Sequence, residues 1–220
     1  MKKKIAVILC GSGFKDGSEI HESVFALNAI SENGAEYECF AQDAPQADVI
    51  NCLSGKPMSE SRNQKTEAAR IARGAIRSMS DLKAADFDAL VLPGGFGAAK
   101  NLCTYAFEGA SASVKPEIAR VLTEFSAQKK PIGAICIAPM VLALHFKGKN
   151  LTLTLGDESP ELTSQLNILG HRHHPCSVTE ICVDEGHRVV STPAYMHENP
   201  KIHEVGIGIS KLVKRVIAGF

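Results

Sequence analysis

The chain repeatedly runs a short strand-like segment into a turn and then into an amphipathic helical stretch, and this alternation sets the tightest bound on its architecture. The segments fall at 4–10, 36–41, 88–92 and 131–135. Runs of this length, bounded by signals such as Gly11-Ser12-Gly13 or Pro93-Gly94-Gly95, read as strands rather than helices. Between them apolar residues recur at helical spacing: Ile20, Val24, Leu27 and Ile30, ended by Asn33-Gly34, then a helix over 66–79. A third helix over 115–128 carries Ile118, Val121, Leu122 and Phe125, with Pro116 in its first turn, where a missing N–H leaves no bond unmade. Beyond the strand at 131–135 come a helix to about 145, an alternating stretch at 151–155 and a final helix over 202–217. A hairpin of 178–183 and 188–192 turns at Asp184-Glu185-Gly186. The alternation predicts an α/β fold: a mostly parallel sheet with helices on both faces and the hairpin as an antiparallel edge.

A length of 220 residues suits one domain over 1–220. The 24 basic and 24 acidic side chains cancel, so no global field attracts nucleic acid or an anionic membrane. Small neutral molecules are the expected partners. No stretch approaches the ~20 apolar residues of a membrane span, and Lys2-Lys3-Lys4 leads straight into 5–9 without a cleavage-site pattern. Seven cysteines without paired spacing point to a reduced compartment, and a cytoplasmic location is expected.

Cys136 ends one apolar run and opens a helical pattern, in Ala134-Ile135-Cys136-Ile137-Ala138-Pro139. A sharp strand-to-helix elbow exposes its central side chain and needs small residues two positions to either side, here Ala134 and Ala138. Unpaired amides at the helix start are expected to lower the thiol pKa and favour thiolate. The competing reading is a buried, inert small hydrophobe. Leu92-Pro93-Gly94-Gly95-Phe96-Gly97 closes a second strand, and glycines there allow main-chain N–H groups to approach an oxyanion, with Ile137 N–H as a second donor. An ordinary tight turn is the alternative. Glu22 lies in the first turn of a helix that begins just past a strand end, within reach of the crevice where such sheets bind ligands. It also fits a plain helix-start glutamate favoured by the dipole.

These segments, with Gly17-Ser18-Glu19-Ile20-His21-Glu22-Ser23-Val24, resemble the ThiJ/PfpI superfamily, which is related to class I glutamine amidotransferases. Gly94-Gly95-Phe96-Gly97-Ala98-Ala99-Lys100-Asn101-Leu102, the helix from Thr66, and Thr192-Pro193-Ala194-Tyr195-Met196 resemble its ElbB branch in particular. The resemblance implies a flavodoxin-like sheet, a homodimer, Cys136 as nucleophile, Glu22 as the carboxylic acid bonded to its thiolate, and the amides of Gly95 and Ile137 as oxyanion donors. Two departures matter. Ile137 stands where many peptidase-like relatives have histidine, and His203-Glu204 lacks the intervening residue of an amidotransferase His-x-Glu.

Other candidates carry less. His171, His173 and His174 with Cys176 form the densest group of ligand-type residues, but their spacing suits a solvated or pocket-lining loop better than zinc. Arg70, Arg73 and Arg77 fall on one helical face, a solvated or subunit-facing stripe, or an anion site. Gly11-Ser12-Gly13-Phe14-Lys15-Asp16-Gly17 departs from a dinucleotide fingerprint in its third glycine. No cofactor and no metal are therefore expected. The resemblance implies a cofactor-independent glyoxalase acting on small aldehydes and dicarbonyls. The alternatives are a redox-sensing or regulatory protein linked to isoprenoid metabolism, in which Cys136 oxidises beside Glu22, and a weak amidase or peptidase.

Overall fold

The computed structural model describes residues 2–220. Its strands are β1 (Lys4–Ile8), β2 (Glu36–Ala41), β3 (Ile76–Ser78), β4 (Ala89–Leu92), β5 (Ile132–Ile135), β6 (Thr152–Leu153), β7 (Arg172–His173), β8 (Cys182–Asp184) and β9 (Val189–Thr192). Its helices are α1 (Ile20–Glu32), α2 (Gln64–Ile71), α3 (Tyr105–Glu108), α4 (Pro116–Ala127), α5 (Pro139–His145), α6 (Pro160–Ile168) and α7 (Ile202–Ala218).

Seven strands form one sheet in the order β3-β2-β1-β4-β5-β9-β8. All neighbours are parallel except β8, which runs antiparallel to β9 as the edge hairpin. This is the flavodoxin-like α/β sheet that the alternating pattern and the family resemblance imply. β4 and β5 are buried at every position, as is β1 after Lys4, because both faces of a central parallel strand are covered and no polar alternation survives. On α4, Ile118, Val121, Leu122 and Phe125 are all buried, each stabilising the packed state by about 2 kcal/mol. From β1 the chain builds outward through β2 and β3, then crosses back to place β4 on the other side of β1. That reversal opens a crevice above the carboxyl ends of β1 and β4.

Three expectations are corrected. On α1 the buried face carries Glu22, Ser23, Ala26, Leu27, Ala29 and Ile30, whereas Ile20 and Val24 are 47% and 48% exposed. The helix is rotated because Glu22 is bonded inward to Gly94, and small Ser23 and Ala26 allow close packing on that side. The helix expected over 66–79 stops at Ile71; Arg73 and Gly74 take φ of 52° and 82°, turning the chain so that β3 adds to β2. Helix α6 is additional to the elements expected from the sequence. Its start is written in Ser159, whose hydroxyl accepts the Leu162 amide, and in Pro160 at the first position. The stretch at 151–155 supplies β6, which pairs with β7 apart from the main sheet. Among the described residues no helix is long and apolar enough to cross a membrane.

Candidate active site

Strand register decides what meets what. Leu92 on β4 pairs with Ala134 on β5, and Ile135 pairs with Thr192 on β9, so the turns leaving all three strands open side by side. Cys136 is the first residue beyond β5 and adopts φ 60°, a left-handed conformation that costs a non-glycine residue ~1–3 kcal/mol. Its amide is held by donating to the Thr192 carbonyl at 2.9 Å, and Ala134 and Ala138 on either side are fully buried. The elbow expected from the sequence is therefore present.

Glu22 is fully buried. The Gly94 amide donates to its Oε2 at 3.0 Å and the Tyr195 amide to its Oε1 at 3.4 Å, while its carboxyl and the Cys136 side chain both press on Gly94, close enough to perturb each other's ionisation. Gly95 and Ile137 line the same cavity as Cys136, and their amides pull its thiol pKa down. All four residues singled out in the sequence thus converge. Gly95 has φ +92°, which L side chains rarely adopt. At Gly94 a β-carbon would lie 2.7 Å from Glu22 Oε2 and would overlap the Cys136 side chain. The 11–17 loop braces this turn: Gly97 N–H donates to the Gly17 carbonyl at 3.1 Å and Glu19 N–H to the Gly94 carbonyl at 3.0 Å. These glycines serve backbone packing. Asn101 completes the brace, donating to the carbonyls of Cys10 and Asp16 and accepting from the Ala47 amide.

The electrostatics correct one expectation. Burial, and then the Glu22 charge, push the Cys136 thiol well above its ordinary range, and the opposing pull of the Gly95 and Ile137 amides is smaller. Burial, with the Glu19 charge second, pushes Glu22 up to about 8. Burial thus pushes both groups toward their neutral forms, against the thiolate that the helix-start amides favour. The helix-start amides are outweighed because Cys136 is only 7% exposed and its sulfur has lost most of its hydration.

In front of the sulfur lies a cavity of about 440 Å³ lined by Phe14, Phe96, Tyr105, Tyr195, Glu19 and Glu161, among others. Tyr195 follows Ala194, itself at φ 46°, and its hydroxyl meets His21 Nδ1 at 2.8 Å. Sequence reasoning assigns no role to Tyr195, Glu19, Tyr105 or Glu161. For Tyr195 a signal exists in the Thr192-Pro193-Ala194-Tyr195-Met196 segment. The other three reach the cavity only through tertiary packing.

The remaining candidates lie elsewhere. His171 is buried and bridges the Ala143 carbonyl, at 2.8 Å, and the Leu151 amide, at 3.1 Å. His173 accepts from the Leu155 amide and His174 is exposed, so the three tie β6 and β7 into the fold rather than converge on the cavity. The arginine stripe does not exist: Arg70 pairs with Glu67 on α2, whereas Arg77 lies on β3 and pairs with Glu38.

A cysteine elbow on a flavodoxin-like sheet, backed by main-chain donors and a buried carboxyl, defines a protein of the amidotransferase-like cysteine class. The chain belongs to the DJ-1/PfpI family, whose pattern matches residues 3–192, a family that includes cysteine-dependent glyoxalase- and protease-like members. The ES1 protein homolog, mitochondrial, of Rattus norvegicus is 44% identical over 225 residues, spanning 98% of this chain and 84% of that protein. The glutamine amidotransferase-like class 1 domain-containing protein 3, mitochondrial, of Homo sapiens is 43% identical, spanning 97% and 82%. The crystal structure of an isoprenoid biosynthesis protein with an amidotransferase-like domain from Ehrlichia chaffeensis matches with a TM-score of 0.92 at 33% identity and covers 98% of both chains. These relatives bear out the ElbB-like resemblance.

They also overturn the cytoplasmic location, since the rat and human relatives and a third from Danio rerio are mitochondrial proteins. Unpaired cysteines separate reducing from oxidising compartments and nothing finer.

Proposed function

We propose that the protein is a cofactor-independent glyoxalase that converts glyoxal-type dicarbonyls to 2-hydroxy acids. The observation that carries this reading is the convergence on one sulfur of two main-chain donors and a buried carboxyl whose pKa near 8 suits proton transfer at working pH. With Glu22 in its carboxylate form, the Cys136 sulfur adds to the aldehyde carbon while its proton passes to Glu22 and on to the carbonyl oxygen, giving a hemithioacetal and leaving Glu22 again a carboxylate. Amides of Gly95 and Ile137 stabilise the charge that develops on that oxygen. Glu22 then takes the proton from the former aldehyde carbon, and reprotonation at the neighbouring carbon yields a thioester of the 2-hydroxy acid. Water cleaves that thioester and releases the thiol, so the balance is one dicarbonyl plus one water with no external oxidant or reductant.

Placement disfavours one alternative. An amidase or peptidase would pair the cysteine with an imidazole, and Ile137 occupies the adjacent position. The working unit in this reading is a homodimer, supported by the exposed apolar pair Ile20 and Val24 on α1.

The test is conversion of methylglyoxal to lactate by the purified protein and by Cys136→Ala. The variant is expected to keep its far-UV circular dichroism and lose all turnover; undiminished conversion overturns the mechanism.

A further inference from the structure

The cavity above Cys136 is large for the smallest dicarbonyls. At about 440 Å³ it far exceeds what glyoxal, with four heavy atoms, fills. It has room for a substituent beyond the reacting carbonyls, and the walls indicate its chemistry. Glu19 and Glu161 are the charged side chains of the lining, and neither lysine nor arginine contributes to it among the described residues. Four aromatic rings, Phe14, Phe96, Tyr105 and Tyr195, supply the rest of the relevant surface.

Each tyrosine has carboxyl neighbours: Glu161 acts on Tyr105, and Glu19 and Glu22 act on Tyr195, in both cases after burial in raising the phenol. The ammonium groups of Lys15 and Lys100 lie over the rings of Phe14 and Phe96, 5.4 and 5.0 Å from the ring centroids. Lys100 Nζ is bonded to Asp48 at 2.6 Å and, with Lys15, lines a separate cavity beyond Phe14 and Phe96. Of the histidines, His21 borders the adjoining space and is bonded to the Tyr195 hydroxyl. Phe14 and Phe96 are 48% and 45% exposed, apolar surface that a soluble chain leaves open mainly where something binds.

Carboxylates beside the rings of Tyr105 and Tyr195 favour a cation twice over, by direct Coulomb attraction and by the negative faces of those two rings, whereas Phe14 and Phe96 already carry lysine ammonium groups. We infer that the cavity selects carbonyl substrates bearing a positively charged nitrogen substituent and disfavours those bearing a carboxylate or phosphate. This rests on the glyoxalase reading for the reacting carbonyl, while the charge selection is a property of the cavity itself.

Two measurements separate these layers. In the first, the native protein is treated with methanethiosulfonates carrying a trimethylammonium group, a sulfonate or no charge, and Cys136 modification is followed by peptide mass spectrometry, which resolves it from the exposed Cys52. Relative to the rates with N-acetylcysteine, the cationic reagent should react at least about tenfold faster than the anionic one, the lower end of what a focused cleft produces. The ratio should fall with added salt and in Glu161→Gln, an exposed position on α6 where the change leaves the core untouched. Equal rates, or a faster anionic reagent, overturn the inference. In the second, phenylglyoxals with a para trimethylammonium, methyl or carboxylate group are compared by kcat/KM, and the order should run cation, neutral, anion. Turnover of all three without that ranking removes the substrate preference but leaves the glyoxalase. No turnover of any, with the reagent ratio intact, removes the glyoxalase and leaves a cation-selective cavity.

Discussion

Replacing Glu22 with glutamine tests whether the fold holds this carboxyl protonated. In an unfolded chain the group ionises near 4.5, and in the folded protein burial, reinforced by the Glu19 charge, moves this to about 8. Between those values the native state keeps a proton that the unfolded state has released, so ionisation favours unfolding and stability falls as pH rises. Below 4.5 the penalty is absent, and above about 8 it is complete. At ~1.4 kcal/mol per pH unit, the window costs the native state roughly 5 kcal/mol, undiminished by solvent because Glu22 is fully buried.

The glutamine side chain of the variant keeps the shape of the protonated acid, and its carbonyl oxygen can still accept from the Gly94 or Tyr195 amide, but it does not titrate. Urea unfolding of both proteins under reducing conditions from about pH 5 to about pH 8.5 should therefore show Glu22→Gln gaining on the native chain by ~4 kcal/mol across the series, with no further gain above it. Parallel stability profiles would refute a fold-imposed proton on Glu22, and with it the proton-transfer role. A Cys136→Ser background repeats the comparison without the thiol and should show a similar gain, since burial is the largest cause.

Gly94→Ala should lower kcat/KM for methylglyoxal by at least about 100-fold, because its β-carbon displaces Glu22 or Cys136 from a geometry in which ~1 Å matters. Native-like near-UV circular dichroism with unchanged kinetics would contradict the crowding. Asn101→Ala should destabilise the protein by about 3 kcal/mol in urea, as it unpairs main-chain groups of Cys10, Asp16 and Ala47 around a side chain that is 2% exposed. A change below ~0.5 kcal/mol, the range of ordinary surface substitutions, would show that the brace is dispensable. If the proposed homodimer uses the outer face of α1, Val24→Glu, which places a charge there, should shift sedimentation velocity from dimer to monomer. An unaltered dimer would place the subunit contact elsewhere.

Much of the site is legible in the sequence because the signals are local. The elbow at Cys136 depends on small residues two positions away, and the glycine turn depends on main-chain φ at Gly95, so short segments suffice to specify both. Helix α4 is legible for a similar reason, with its whole stripe buried and Pro116 at its start. The rotation of helix α1 is not, because the most apolar stripe is not the buried one. A hydrogen bond from Gly94, 72 residues along the chain, outweighs the preference of Ile20 and Val24 for burial. The stretch after Ile71 escapes a periodicity argument because β3 forms only when β2 offers an edge to pair with, which no helical period records.

The alternation that builds the sheet, the residues that converge above it and the family to which the chain belongs are all contained in the order of the amino acids. They follow from periodicity and from backbone conformations that only certain residues tolerate. The ionisation of the site and the character of its cavity come from packing alone. Whether Cys136 is a thiolate or a thiol depends on how completely water is excluded around it, and Glu22 owes its proton to burial that outweighs the pull of amides as distant in sequence as that of Tyr195, 173 residues away. Such balances between lost hydration and gained hydrogen bonds arise only when remote segments are packed together.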